Sequence, residues 1–417
     1  MRLQMPVIGL EAEFKVFVDD NEIIPEEYWR SPSAFIERPL LKRTSKSLQL
    51  PSGGALYFDG GVLEVVTPVI EIAPHCTARV VRSLWEQIAF VRDELDAWER
   101  RSGHRARLQA FSCHVNISFE LSREERSRNR TIQKLAVLLA RLLPVPIVVL
   151  AANRRSTGIG VRPRRDRIEI TLDFTPDPGL MAAATALIVG VTRDIIGWDS
   201  YLLRDLEASG VPLLEGLEPG RHATRNGWVA KDFHFPKNPF VADIDAAEWP
   251  VRARRVLSLR QIALEIATHF RESIRYVADP FSMRLLFSVL RGQTASLLDL
   301  DDRPAEYDDV GRATRWGSVL PELANFDTIT RDRRTRTRRY PDRRARAEPV
   351  PAQRLTRSAY ERVFLKLGAR KRIRMNGESL TPVSVRGWYE SLFRAPNGED
   401  HIFSIDQLLQ HLAWFED

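Results

Sequence analysis

The segment MPVIGLEAEFKVFV, residues 5–18, places the tightest constraint on how this chain can fold. Apolar residues alternate along it, and Val, Ile and Phe are frequent, which predicts a β-strand. Glu11 and Glu13 are two residues apart, so both carboxylates project from the same face of that strand. Two carboxylates flanked by Leu10 and Phe14 are costly unless a positive charge lies between them. The polar face is therefore either an ordinary solvated surface or a cation site.

The length and composition are those of a multidomain globular protein. With 417 residues and 47.7 kDa, the chain is long enough for roughly two to three domains. No stretch approaches the roughly 18 uninterrupted apolar residues of a membrane span, and acidic residues come too early for a secretory signal. Cys76 and Cys113 are too few for a disulfide framework or a cysteine zinc site. We therefore predict a protein of the reducing cytoplasm, with no membrane partner and both cysteines in the core.

The positive charge is concentrated in one segment. The formal net charge of +7 favours anionic partners, but much of it lies in RDRRTRTRRYPDRRARAEPVP, residues 331–351. Like charges at that density repel one another, which predicts an exposed linker or loop. The alternative is a nucleic-acid-binding protein that uses residues 331–346. Only Tyr340 is available there to stack on bases, and no recognised nucleic-acid module surrounds the segment, so we do not expect a nucleic-acid partner.

Three further strand-like segments carry polar side chains that a sheet could gather beside the two glutamates. In FDGGVLEVVTP, Glu64 stands among valines and a leucine, and Asp59 precedes two glycines that allow close approach of a ligand. A cross-strand salt bridge would explain Glu64 equally well. In SCHVNISF, His114 and Asn116 share one strand face and can serve a metal ion or a phosphate. A lone histidine on a strand is more often structural.

The last of these segments, RPRRDRIEITLDF, joins a cluster of arginines to a strand that carries Glu169. Arginine suits polyphosphate and the charge that develops in phosphoryl transfer, and an exposed basic turn is the alternative. Between the strands, helical spacing predicts helices over residues 77–100 and from about 179 to 207. Ile147–Leu150, which follows two prolines, is expected to be a short apolar strand.

Paired glutamates, Gly-Gly-x-x-Glu, His-x-Asn and Arg-x-Glu occur in this order along the first part of the chain. This order resembles the glutamine synthetase-like superfamily, which includes the glutamate–cysteine ligases and the bacterial amidoligases, over residues 5–175. The resemblance implies an α+β fold with a curved, largely antiparallel sheet and helices on its convex side. The concave face would hold ATP and two or three Mg²⁺ or Mn²⁺ ions. We divide the chain into a catalytic domain (1–330), the linker or loop (331–351) and a small C-terminal appendage (352–417).

The resemblance also implies a role for each polar side chain. Metal ligands are implied at four acidic positions: Glu11, Glu13, Glu64 and Glu169. His114 would contact metal or phosphate, and Asn116 would lie beside the nucleotide. Phosphate-binding arginines are implied at Arg167 and at one or more of Arg155, Arg162 and Arg164. The amine must also lose a proton, and we choose Asp59 as that base without a motif to support the choice.

The implied reaction transfers the γ-phosphate of ATP to a carboxylate, after which an amine attacks the acyl phosphate. Metal ions and arginines neutralise the charge on the transferring group, which agrees with the residue types found. Thr171 departs from the family's Arg-x-Glu-x-Arg pattern, so either another arginine supplies that charge or the second substrate binds differently. No segment matches the family's recognition loops for glutamate or cysteine, so a peptide or protein is at least as good a substrate. We also expect a homo-oligomer.

Two other functions are open to the same residues. Guanidino kinases resemble the same superfamily and stop at phosphorylation, so a stable phosphorylated product would indicate a phosphotransferase. An inactive scaffold is the other alternative, but retention of all the acidic positions argues against it.

Overall fold

The computed structural model describes residues 4–43, 46–120, 130–153, 155–156, 158–175, 177–222, 226–299 and 358–416. The arginine-rich segment 331–351 lies outside these residues, so its role as a linker or as a nucleic-acid-binding segment stays a prediction.

Strands are numbered in chain order: β1 (Gln4–Val18), β2 (Asn21–Ile23), β3 (Leu41–Lys42), β4 (Ser47–Gln49), β5 (Ala55–Asp59), β6 (Val62–Val66), β7 (Ile70–Glu71), β8 (Ala106–Glu120), β9 (Ile159–Pro163), β10 (Arg167–Asp173), β11 (Gly220–Arg221), β12 (Trp228–Ala230), β13 (Trp249–Val251), β14 (Arg255–Leu257), β15 (Ile373–Met375), β16 (Glu378–Arg386), β17 (Glu390–Arg394) and β18 (Asp400–Ser404). The α-helices are α1 (Pro25–Tyr28), α2 (Cys76–Ser102), α3 (Arg130–Leu142), α4 (Pro144–Ala151), α5 (Pro178–Ile196), α6 (Leu203–Ala208), α7 (Leu259–His269), α8 (Arg271–Val277), α9 (Pro280–Leu290), α10 (Ala359–Gly368) and α11 (Ile405–Gln410).

Most strands form one open sheet, in the order β11-β12-β9-β10-β8-β1-β6-β5-β4-β3-β16-β17-β18. The long strand β1 lies in its middle, paired with β8 on one side and β6 on the other. Across the described residues the pairings are antiparallel, with one parallel contact between β3 and β16. The predicted α+β fold with a largely antiparallel sheet is therefore confirmed.

One face of the sheet is the main hydrophobic core. On β1, the side chains of every second residue over 8–16 are fully buried, as the alternation predicted. Helices α2 and α5 lie against this face. Trp85 of α2 stacks on Phe174, with 5.5 Å between ring centroids, and Phe174 meets Phe14 of β1 edge-on at 5.1 Å. Because helices cover this face, the glutamates of β1 lie on the opposite one.

Helix α5 is long and apolar enough to cross a membrane, and 83% of its apolar stretch is buried inside the fold. It packs against α8 at Gly190, where an added Cβ would lie 2.5 Å from the Cα of Ile274. Helices α3 and α4 are long and apolar enough to cross a membrane only when taken together, and a 57° bend separates them. The apolar character of α5 is accounted for by burial among other helices.

The expected strand at Ile147–Leu150 is wrong, because this segment lies within α4. Pro144 and Pro146 fall in the first turn of the helix, where backbone N–H groups have no partner inside the helix, so the prolines start it. A short apolar run does not distinguish a strand from a fully buried helix by its periodicity. The helix predicted from about 179 to 207 is also shorter, since α5 ends at Ile196 and α6 follows it.

Residues 358–416 form a C-terminal module with its own hydrophobic core, to which Leu41 of β3 contributes. The module joins the main sheet where β16 lies beside β3. Next to this contact, Arg43 donates a hydrogen bond to the carbonyl oxygen of Gly387 and stacks on the ring of Trp388, 4.1 Å from its centroid. The module is therefore docked on one edge of the sheet.

Candidate active site

The register of neighbouring strands brings the predicted polar residues together on the face of the sheet that the helices leave free. On β1, Glu13 lies directly opposite Glu64 of β6 and Ser112 of β8. Glu11 lies opposite His114 of β8. Directly opposed residues on one face of a sheet are close enough to interact, so the strand pairing itself assembles this group.

His114 lies at the centre of the group. Its Nδ1 is 3.1 Å from Glu11 Oε2 and 3.7 Å from Glu169 Oε1, and its Nε2 is 3.8 Å from Glu13 Oε1. Possible ligand atoms of Glu11, Glu64 and His114 all lie within 4.8 Å of one another. We call the set of four side chains at this centre the acidic cluster: Glu11, Glu13, Glu64 and His114. A single small cation could contact several of its members at once.

Burial and neighbouring charges shift the pKa values of two members of the acidic cluster in opposite directions. Burial, and then the charge of Glu11, raise the pKa of Glu64 to about 9, although a hydrogen bond from Tyr57 acts in the other direction. Burial also acts to raise the pKa of Glu11, but the hydrogen bond and charge of His114, with the charge of Arg167, bring it below its ordinary value. Glu64 therefore holds a proton at neutral pH that a divalent cation would displace.

Glu169 is held differently, because it is paired with arginines. Its side chain is almost fully buried and contacts Arg162. Arg164 donates to Glu169 Oε2 from Nε at 3.1 Å and from Nη2 at 2.9 Å. The Nε of Arg167 donates to Oδ1 of Asn116 at 2.9 Å. Three of the four predicted arginines thus lie beside the acidic cluster, and the assignment of Glu169 as a metal ligand stays a prediction.

Two cavities adjoin the acidic cluster. The first, of about 480 Å³, lies between the sheet and the C-terminal module, and we call it the aromatic cavity. Glu11, Asn116 and Arg167 line it from the sheet, and Tyr360, Trp388 and Tyr389 line it from the module. The second, of about 610 Å³, we call the basic cavity. The residues that line it include Glu13, Asp59 and His114, and also Arg162, Arg221 and Lys231.

Two of the predicted residues lie at the margin of this arrangement. Asp59 is exposed at the end of β5 and lines the basic cavity. Arg155 is exposed in the turn before β9 and does not line either cavity. The assignment of Asp59 as a base stays a prediction, and so does the assignment of Arg155 as a phosphate ligand.

Several residues of the site were missed by the sequence reasoning. Ser112 donates to Glu13 Oε2, and its position two residues before His114 on the same strand could have revealed it. Tyr57 of β5 lies opposite Glu64 of β6. Its position two residues before Asp59 on the same strand could have revealed it. The aromatic residues of the C-terminal module carried no signal, because their approach to the site depends on tertiary contacts.

No protein-family model and no curated protein sequence matches the chain. The chain is similar to a solved structure of the complex between the prokaryotic ubiquitin-like protein Pup and its ligase PafA, with 12% identity and a TM-score of 0.49 over 98% of this chain and 92% of that one. It is also similar to the Pup ligase PafA in complex with ADP, with 12% identity and a TM-score of 0.38 over 89% of this chain and 91% of that one. At this level of similarity, what the chain does has to be inferred from its own site.

Proposed function

We propose that this protein is an ATP- and Mg²⁺- or Mn²⁺-dependent carboxylate–amine ligase that forms an amide bond through an acyl phosphate. The observation that carries the proposal is the partly buried acidic cluster, which lies between two cavities on the sheet face that the helices leave free. The carboxylate oxygens of Glu11, Glu13 and Glu64 are the ligands that a hard divalent cation takes. The raised pKa of Glu64 fits this assignment, because a bound cation would stabilise its ionised form.

The aromatic cavity is the better place for the nucleotide. Trp388 and Tyr389 offer aromatic surface for a base, and Arg167 lines the same cavity next to Glu11 of the acidic cluster. A nucleotide held in this way would have its base against the C-terminal module and its phosphates towards the metal ligands. Asn116, held by Arg167, would then lie beside the nucleotide, as the family resemblance implied.

The chain's own residues provide the remaining requirements of the reaction. Bound Mg²⁺–ATP would supply the phosphoryl group that turns a carboxylate into an acyl phosphate. Arg162 and Arg164 hold positive charge beside the acidic cluster, where negative charge develops during the transfer. We assign the deprotonation of the amine to Asp59, which is exposed and lines the basic cavity. A peptide or protein as one of the two substrates agrees with the solved complex of the ligase PafA with the prokaryotic ubiquitin-like protein Pup.

Product analysis tests the proposal. The protein would be incubated with ATP, Mg²⁺ and a panel of carboxylates and amines, including acidic peptides, and products identified by mass spectrometry. We expect ADP together with a condensed amide, formed only when both substrates are present. AMP would refute the acyl-phosphate route, and a stable phosphorylated product that needs no amine would identify a phosphotransferase.

A further inference from the structure

Strand β8 changes the face that its side chains present just before it reaches the acidic cluster. Its register with β1 shifts between Glu13 and Phe14, which leaves Phe111 as an extra residue in a β-bulge. On a regular strand, Leu108 and Ser112 would share one face, because they are four residues apart. With the bulge between them, Leu108 is fully buried in the hydrophobic core and Ser112 lines the basic cavity. The bulge therefore turns Ser112 towards the acidic cluster.

The hydroxyl group of Ser112 lies between two members of the acidic cluster. It donates a hydrogen bond to Glu13 Oε2, and its oxygen is 3.4 Å from Nε2 of His114. A hydroxyl group has one hydrogen and two acceptor lone pairs. Because the hydrogen of Ser112 is used on Glu13, its oxygen can only accept from His114. Nε2 of His114 therefore carries a hydrogen in this contact.

This contact decides which ring nitrogen of His114 faces the carboxylates. With Nε2 turned to Ser112, the ring presents Nδ1 to Glu11, whose Oε2 is 3.1 Å away. Glu13 is held in a similar way, because its Oε2 accepts from Ser112 and its Oε1 is left for a cation. The side chains that bind a metal ion are commonly oriented by a hydrogen bond through their other polar atom.

We propose that Ser112 is a positioning residue of the cation site in the acidic cluster. Its hydroxyl group holds Glu13 by donating and His114 by accepting, so one oxygen of Glu13 and Nδ1 of His114 stay directed at the same cation. The two side chains come from neighbouring strands, and Ser112 joins them through one atom. This inference rests on the proposed ligase function and adds to it the residue that orients two members of its cation site.

Binding of Mn²⁺ alone, followed by electron paramagnetic resonance, tests the inference. Ser112→Ala removes both contacts and should weaken Mn²⁺ binding about tenfold, as is typical when a residue that orients metal ligands is lost. Ser112→Thr keeps the hydroxyl group, and its methyl group has room because residue 112 lines the basic cavity, so most of the affinity should return. In pulsed spectra of bound Mn²⁺, the nitrogen signal of an imidazole ligand should be present in the wild type and in Ser112→Thr. It should be weaker in Ser112→Ala and absent in His114→Gln.

The control variant is Ser102→Ala, an exposed serine at the end of α2, which should bind Mn²⁺ as the wild type does. Circular dichroism should show the same fold for all variants. Equal Mn²⁺ affinity of Ser112→Ala and the wild type, no recovery in Ser112→Thr, or an unchanged nitrogen signal in Ser112→Ala would overturn the inference. Absence of Mn²⁺ binding by the wild type would remove the cation site, and the ligase proposal with it. Binding that does not depend on residue 112 would count against this inference alone.

Discussion

Replacing Glu64 by glutamine should change how the stability of the metal-free protein depends on pH. The side chain of Glu64 is only 4% exposed and lies opposite Glu13, and its pKa is raised from 4.5 to about 9. Between these two pH values the folded protein holds a proton that the unfolded chain has released. The free energy of unfolding should therefore fall as pH rises, by at most about 1.4 kcal/mol per pH unit. Glutamine does not titrate, so Glu64→Gln should lack this contribution.

Thermal unfolding in the presence of EDTA at about pH 6.5, 7.5 and 8.5 measures the difference. Over these two pH units the wild type should lose up to about 3 kcal/mol relative to Glu64→Gln, which corresponds to a few degrees in melting temperature for a chain of this size. The control is Glu378→Gln, at an exposed position on β16, which should follow the wild type.

Added Mn²⁺ should reduce the pH dependence of the wild type, because a bound cation takes the place of the proton. It should have a smaller effect on Glu64→Gln, which offers no carboxylate at that position. Parallel pH profiles for the wild type and Glu64→Gln in EDTA would show that Glu64 is ionised in the folded protein. In that case the electrostatic argument for a cation site would fail.

Three further expectations follow from the structure. Glu13→Ala should abolish Mg²⁺-dependent ATP turnover while circular dichroism shows an unchanged fold, and normal turnover would remove Glu13 from the site. Trp388→Ala should weaken Mg²⁺–ADP binding about tenfold in calorimetry, since it removes aromatic surface from the aromatic cavity, whereas Tyr276→Ala, on α8, should not. Gly190→Ala should lower the melting temperature by several degrees, because its Cβ would collide with the backbone of Ile274; an unchanged midpoint would mean that α5 and α8 separate at little cost.

The part of the site that the sequence predicted is the part built by local strand geometry. Alternation along β1 was enough to place Glu11 and Glu13 on one face and the core residues on the other. The same rule linked His114 to Asn116 on β8. What brought these strands side by side was their pairing register, which no single segment encodes, and here the order of motifs in the resembled family supplied the missing information.

The parts that the sequence did not predict depend on contacts between distant segments. The helix α4 was mistaken for a strand because its apolar run is short and its helical state is set by burial. Glu169 forms ion pairs with Arg162 and Arg164. The pair with Arg164 depends on the turn between β9 and β10, which brings Arg164 back against the strand. Trp388 reaches the site only because the C-terminal module docks on β3, at the opposite end of the chain.

That docking has a consequence for how the protein is made. Arg43 and Gly387 are 344 positions apart, so the ribosome delivers one side of this contact long before the other. Until Trp388 emerges, the edge of the sheet at β3 lacks its neighbour and the aromatic cavity lacks a wall. Contacts between such distant segments form late in folding. We expect a nascent chain to gain its nucleotide affinity only near the end of synthesis.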